Sequence, residues 1–157
     1  MTTVTHVLAP VILVKLFGLK KDTLSKFDYL WVGLAGGLAD VINPHYYLKE
    51  RLTSWSHGLP FWVLFSLLMI LVSFLVGKKL RMRVAVLCSG AYLLHLLFDG
   101  VSGGINLFYP LENYYWGLTL EPLVPFKYWI PLDVVNLLLV LWLFRWRKMR
   151  RRGSCDL

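Results

Sequence analysis

The stretch "LPFWVLFSLLMILVSFLVG", residues 59–77, contains no charged side chain. As a helix it is long enough to cross a bilayer's hydrocarbon core, which takes about 20 apolar residues. Working outward, "VAVLCSGAYLLHLLF" (84–98) carries no charge apart from that of a protonated His95, and "YWIPLDVVNLLLVLWLF" (128–144) is interrupted only by Asp133 and Asn136. Two weaker apolar segments precede them, "HVLAPVILVKLFGL" (6–19) and "YLWVGLAGGLADVIN" (29–43). Hydrophobic residues make up 57% of the 157 and charged ones only 17%, a balance unlike that of ordinary soluble domains. The pattern predicts an all-α integral membrane bundle of four to five hydrophobic segments.

The formal charge of +8 raises the question of nucleic acid, but the placement of the basic residues argues against it. Thirteen of the 17 lysines and arginines lie in three groups: Lys20, Lys21 and Lys26; Lys78, Lys79, Arg81 and Arg83; and Arg145, Arg147, Lys148, Arg150, Arg151 and Arg152. Each group ends an apolar segment, as the positive-inside rule requires of cytoplasmic connections. Residues 1–145 then form the membrane domain and 146–157 a basic cytoplasmic tail. The connections 44–58 and 99–127 fall outside the cytoplasm. The second of these contains "INLFYPLENYYWGLTLEPLVPFKYW" (105–129) and reads as an aromatic extracytoplasmic lid, since Tyr and Trp favour the membrane–water interface. The thin segments 6–19 and 29–43 read as a tilted or partly inserted hairpin; Gly33, Gly36 and Gly37 would let it pack closely. Cys88 lies within a span and Cys155 in the tail, so no disulfide is expected between them.

On this map the scarce polar residues gather at one face. His6, His45, His57 and His95 all fall at outer segment ends or in the first outer connection, with Asp40 and Asp99 beside them. His95 and Asp99 are spaced i,i+4, which places them on one side of a helix. Imidazole and carboxylate are normal zinc donors, and leaving such groups unpaired in an apolar segment is costly. Gly100, Gly103 and Gly104 would let the chain turn over the site. Each residue also has a plain reading: a hydrogen-bonded helix-end histidine for His6, His57 or His95, a helix terminus for Asp40, and a turn for Asp99. His45 follows Pro44 in a loop and reads equally as an interfacial anchor. Arg51 is either a clamp on an anionic substrate or a solvated loop charge. Asp133, an acid within a span, is a candidate partner orienting a histidine.

Four pieces in order carry a resemblance: Thr5–His6, "GGLAD" ending at Asp40, Arg51 with "SHG" at 56–58, and "HLLFDG…GINLFYPL" from His95 to Leu111. They resemble the prokaryotic membrane-bound metal-dependent hydrolases, also called inner-membrane-associated hydrolases. That family is in turn similar to the zinc-dependent phospholipase C and single-strand nuclease group. The resemblance implies metal contacts from His6, Asp40, His57, His95 and Asp99. The chain departs from the expected pattern in three places. The family reads Pro-Asp-x-Asp where this chain has Ala39, Asp40, Val41 and Ile42, leaving Asn43 or His45 to stand in for the second acid. The family's Thr-His-Ser is Ser56-His57-Gly58 here, and the later His…Glu pair of the soluble zinc enzymes is missing, since no histidine follows His95. One or two ions, most simply zinc, are therefore expected rather than three.

The expected function is metal-dependent hydrolysis of a phosphoester in a lipid or lipid-linked substrate at the outer face of the cytoplasmic membrane. Asp40 or Asp99 would take the proton from water. Membrane lipid and a small or lipid substrate are the expected partners, and no nucleic acid. The alternative is a non-enzymatic membrane protein whose cluster is structural.

Overall fold

The computed structural model describes residues 2–17, 24–44, 48–76, 79–118 and 129–153. Among them are six helices: α1 (Thr3–Phe17), α2 (Lys26–Ile42), α3 (Leu48–Leu52), α4 (Leu59–Val76), α5 (Lys79–Ser102) and α6 (Trp129–Gly153). A 3-10 turn (Trp55–His57) precedes α4, and strands β1 (Ile105–Asn106) and β2 (Tyr115–Trp116) lie between α5 and α6. The chain is thus mostly helical, as its apolar segments predict, with a short antiparallel hairpin that the all-α expectation lacked. Ile105 pairs with Trp116 and Asn106 with Tyr115.

Within α5, Met82–Ser102 is long and apolar enough to cross a membrane, with 21 residues at mean hydropathy 1.7. Helix α1 and the Leu59–Leu75 part of α4 are apolar but shorter. The expectation of four to five spans therefore reduces, by length and composition, to one helix of full spanning length and two shorter apolar ones among the described residues. Helix α6 does not stop at the basic group but continues through it to Gly153.

Local chemistry sets several boundaries. Ser25 caps α2: the Asp28 N–H donates to its Oγ at 3.2 Å, and the Ser25 N–H donates to Asp28 Oδ2 at 2.6 Å. This reciprocal box satisfies two amides that would otherwise lack partners at the helix start. Helix α5 extends past Phe98 to Ser102, so Asp99 is a helical residue and not part of a turn. The chain turns only afterwards, where the N–H groups of Gly103 and Gly104 both donate to the Asp99 carbonyl at 3.0 Å and Gly104 takes a φ of +80°.

Helix α5 is the centre of the packing, with α2 and α4 against it; α1 packs on α2, and α6 on α1. Val32 and Ala35 of α2 meet Val84, Cys88 and Ala91 of α5 in one buried cluster. A second cluster joins Ala39, Tyr92 and Leu96 to Ile105 of the hairpin. Small residues make the α1–α2 contact close. A Cβ on Gly36 would strike the His6 carbonyl oxygen, and one on Gly37 would strike the Val7 side chain. Pro10, inside α1, has no N–H to offer the His6 carbonyl one turn back, which leaves that oxygen facing Gly36. At the other end of α1, Lys15 is buried with its Nζ 4.1 Å from the Tyr29 ring centre and 4.4 Å from that of Phe144, tying α1, α2 and α6 together.

The hairpin sits on the end of α5. The Trp116 ring lies where a Cβ of Gly100 would be, and the Tyr115 ring lies against Gly104. The Leu118 N–H donates to the Gly100 carbonyl at 2.8 Å, and the Leu59 N–H donates to the Leu107 carbonyl at 2.7 Å. The glycines after Asp99 therefore do more than permit a turn: they seat two aromatic rings.

Candidate metal centre

Five polar side chains from four parts of the chain converge beneath this hairpin. His6 comes from the first turns of α1, Asp40 from the last turn of α2, His57 from the 3-10 turn, and His95 and Asp99 from α5. His6, His57, His95 and Asp99 are all at most 1% exposed. One donor atom from each of Asp40, His57, His95 and Asp99 lies within 4.8 Å of the others, so this buried group could hold a metal ion. The i,i+4 pair on α5 meets as its spacing predicts, with His95 Nε2 3.2 Å from Asp99 Oδ2. His57 Nε2 lies 3.2 Å from Asp40 Oδ1 and 3.5 Å from Asp99 Oδ2, and His95 Nε2 lies 3.6 Å from Asp40 Oδ1.

The outer nitrogens of two histidines are held from behind. His95 Nδ1 lies 2.8 Å from the Gly36 carbonyl oxygen. A carbonyl only accepts, so Nδ1 carries the proton, and in the neutral ring Nε2 turns a lone pair toward the carboxylates. His57 Nδ1 lies 2.8 Å from Ser54 Oγ and 3.2 Å from Ser56 Oγ. Asn43 Nδ2 donates to Ser54 Oγ at 2.9 Å, and Ser56 Oγ donates to the Ala39 carbonyl at 3.0 Å. If Ser54 donates to Ser56, 3.0 Å away, His57 Nδ1–H completes the set of donors to Ser54. Its Nε2 lone pair then faces the centre as well. The Tyr92 hydroxyl donates to the Ser56 carbonyl and holds this turn against α5.

In the neutral ring, His95 Nε2 thus faces carboxylate oxygens with a lone pair. His95 Nε2, both oxygens of Asp99 and both nitrogens of His6 are buried without a hydrogen-bond partner. Groups in this condition are expensive, costing about 1–3 kcal/mol each and more when charged. A neutral His6 tautomer can donate from Nε2 to Asp99 Oδ1, but a proton on His95 Nε2 makes that ring an imidazolium, since its Nδ1 already donates to the Gly36 carbonyl. A single divalent cation among Asp40, His57, His95 and Asp99 would satisfy His95 Nε2 and Asp99 Oδ2 together, and the mixed nitrogen and oxygen donor set suits zinc and similar ions. The residues fit a metal.

Arg51, on α3, belongs to this centre. Its Nη1 lies 3.2 Å from Asp99 Oδ1 and 3.4 Å from Ser102 Oγ, and the side chain is 4% exposed. The solvated-charge reading of Arg51 is therefore overturned. His6 shares that side of Asp99, with Nε2 3.1 Å from Oδ1, and its ring lies against His95 at a centroid separation of 4.1 Å. Asp133 does not reach a histidine among the described residues. Its Oδ1 accepts from the hydroxyls of Thr2 and Thr5, and Asn136 Nδ2 donates to Thr5 Oγ1 at 3.3 Å, so this polar set joins α6 to the start of α1. The reading of Asp133 as an orienter of a histidine is corrected accordingly: it holds the turn that carries His6, because its position on α6 faces the threonine side of α1. His45 lies outside the described residues. Asn43 reaches the centre through Ser54.

Sequence reasoning missed Ser54 and the backbone carbonyl of Gly36, each of which steadies a histidine ring. The serine beside His57 was visible in "TSWSHG". A carbonyl leaves no mark in a sequence; only the glycine that admits α1 and exposes that oxygen to His95 does.

No curated protein or solved structure matches the chain. A family model described as YdjM inner membrane protein matches residues 1–153. That match covers every helix and every residue of the His/Asp cluster, and the chain belongs to the YdjM inner membrane protein family.

Proposed function

We propose that this protein is a membrane-embedded, metal-dependent hydrolase of phosphoester bonds in a lipid or lipid-linked substrate. The observation that carries this reading is the buried group of Asp40, His57, His95 and Asp99, whose donor atoms lie within 4.8 Å of one another. A divalent cation held there supplies Lewis acidity, polarising a phosphoryl oxygen and acidifying water. His57 and His95 present nitrogen donors whose ring orientation is set by Ser54 and by the Gly36 carbonyl. Asp99, fully buried, anchors the centre. Asp40 is 10% exposed at its edge, so it, and not Asp99, is placed to take a proton from an attacking water and pass it out. An edge open to solvent is what separates a catalytic from a purely structural site.

The lipid substrate rests on location. Helix α4 exposes apolar side chains along its length, among them Leu64, Leu67, Leu71 and Leu75, and α6 does the same with Val135, Leu138 and Leu141. Faces of that extent suit a hydrocarbon solvent. With the basic groups retained in the cytoplasm, the hairpin and the centre lie at the outer face of the membrane, where an amphiphile arrives with its headgroup at the aromatic surface. A bundle of several spans, a cytoplasmic basic end and zinc as the ion complete the proposal.

The test is metal analysis of the detergent-purified full chain, followed by assay against phosphomonoesters, phosphodiesters and phospholipids. Chelator-sensitive hydrolysis restored by zinc or manganese supports the reading. Bound metal with no turnover across that panel replaces it with a non-enzymatic, metal-stabilised membrane protein.

A further inference from the structure

The two oxygens of Asp99 have different neighbours. Oδ2 faces His57 and His95, with Asp40 across from it. Oδ1 faces Arg51 Nη1 at 3.2 Å and His6 Nε2 at 3.1 Å. A carboxylate placed in this way can bridge two cations, one on each oxygen, and His6 would be the natural ligand of the second. The guanidinium stands in that second position instead. It is buried with Asp99, is permanently charged, and is also held by Ser102.

We infer that the centre takes one divalent cation, on the Oδ2 side, and that Arg51 replaces a second one on the Oδ1 side. This inference rests on the metal-binding reading of the centre and narrows it. His6 is then not a ligand of the bound ion: its nitrogens fall outside the group of donors that lie within 4.8 Å of one another. Its ring lies tilted against His95 and meets Asp99 on the same oxygen as Arg51. A second dication beside a fixed guanidinium in a buried site would face strong repulsion at low effective dielectric. Removing the arginine's charge leaves Asp99 Oδ1 and His6 Nε2 together as a nascent second site.

The experiment is zinc stoichiometry and affinity, measured on the detergent-purified full chain after chelation and re-equilibration with zinc alone. The wild type is expected to bind one zinc per chain. His6→Ala should also bind one, with affinity changed less than about threefold, whereas Asp40→Asn and His57→Ala should each lose at least tenfold. Arg51→Lys, which keeps the charge, should stay at one. Arg51→Gln should gain a second, weaker equivalent that is lost again in the Arg51→Gln, His6→Ala double variant. Two equivalents in the wild type, or loss of the bound zinc in His6→Ala, overturns the inference while leaving the metal centre standing. A single equivalent in a folded Arg51→Gln also overturns it. No bound zinc in the wild type overturns both. Should Arg51→Gln fail to fold, the wild-type and His6→Ala stoichiometries decide alone.

Discussion

Replacing Gly36 by alanine adds one methyl group at the point where α1, α2 and the centre meet. That carbon would strike the His6 carbonyl oxygen and lie 2.8 Å from Pro10 Cγ. Neither atom can rotate away, because one is backbone and the other belongs to a ring within a helix, so α1 must shift. Overpacking of this kind costs about 1–3 kcal/mol, and the gain from alanine's helix propensity returns about 1 kcal/mol. The net loss is about 0–2 kcal/mol. At about 2–4 °C per kcal/mol for a chain of this size, Tm should fall by up to about 8 °C. The shift also disturbs the 2.8 Å contact between His95 Nδ1 and the Gly36 carbonyl, and losing such a partner behind a metal ligand weakens binding about 10–100-fold. Gly90→Ala is the matched control: it is also a helical glycine, but its added methyl meets nothing within 4 Å. It should leave zinc affinity unchanged and hold or raise Tm. Thermal unfolding in detergent, followed by tryptophan fluorescence, and zinc titration read both effects. Equal Tm and equal affinity for the two variants would refute the argument that Gly36 sets the α1–α2 distance at the centre.

Asp99→Asn keeps the size of the side chain but removes the charge shared by Arg51, His57 and His95; zinc affinity should fall well over tenfold and hydrolysis with it, as titration and phosphoester assays would register. Asp133→Ala removes the acceptor of the Thr2 and Thr5 hydroxyls; at about 1 kcal/mol for each lost hydrogen bond, Tm should drop by a few degrees while zinc stoichiometry stays the same. A cysteine at the exposed Glu112, beside the hairpin, should react with a membrane-impermeant maleimide from the extracytoplasmic side, with native Cys155 shielded until the membrane is permeabilised. Labelling of position 112 from the cytoplasm alone would reverse the proposed topology. Lys148→Ala, in the basic end of α6, should leave zinc affinity and turnover unchanged.

The sequence by itself determined the helical character of the chain and the residue types of its centre. Unbroken apolar runs such as 59–77 leave the backbone no satisfactory form in lipid except the helix. A histidine and an aspartate four residues apart on such a helix must share a face, as His95 and Asp99 do. Glycines at 33, 36 and 37 announced a close helix contact, although not which helix would fill it. The tertiary structure decided the remainder, because those features depend on residues far apart in the chain. Asp99 is helical, not part of a turn, because the hairpin's Trp116 closes over Gly100 and α5 continues to Ser102. Arg51, ambiguous as a loop residue, is buried against Asp99 because α3 folds back to the end of α5. Asp133 reaches the threonines of the α1 start because α6 packs on α1. The division of the centre between the two oxygens of Asp99 depends on side-chain direction across five chain segments. No local pattern encodes that direction, since it depends on how segments distant in the chain pack around α5.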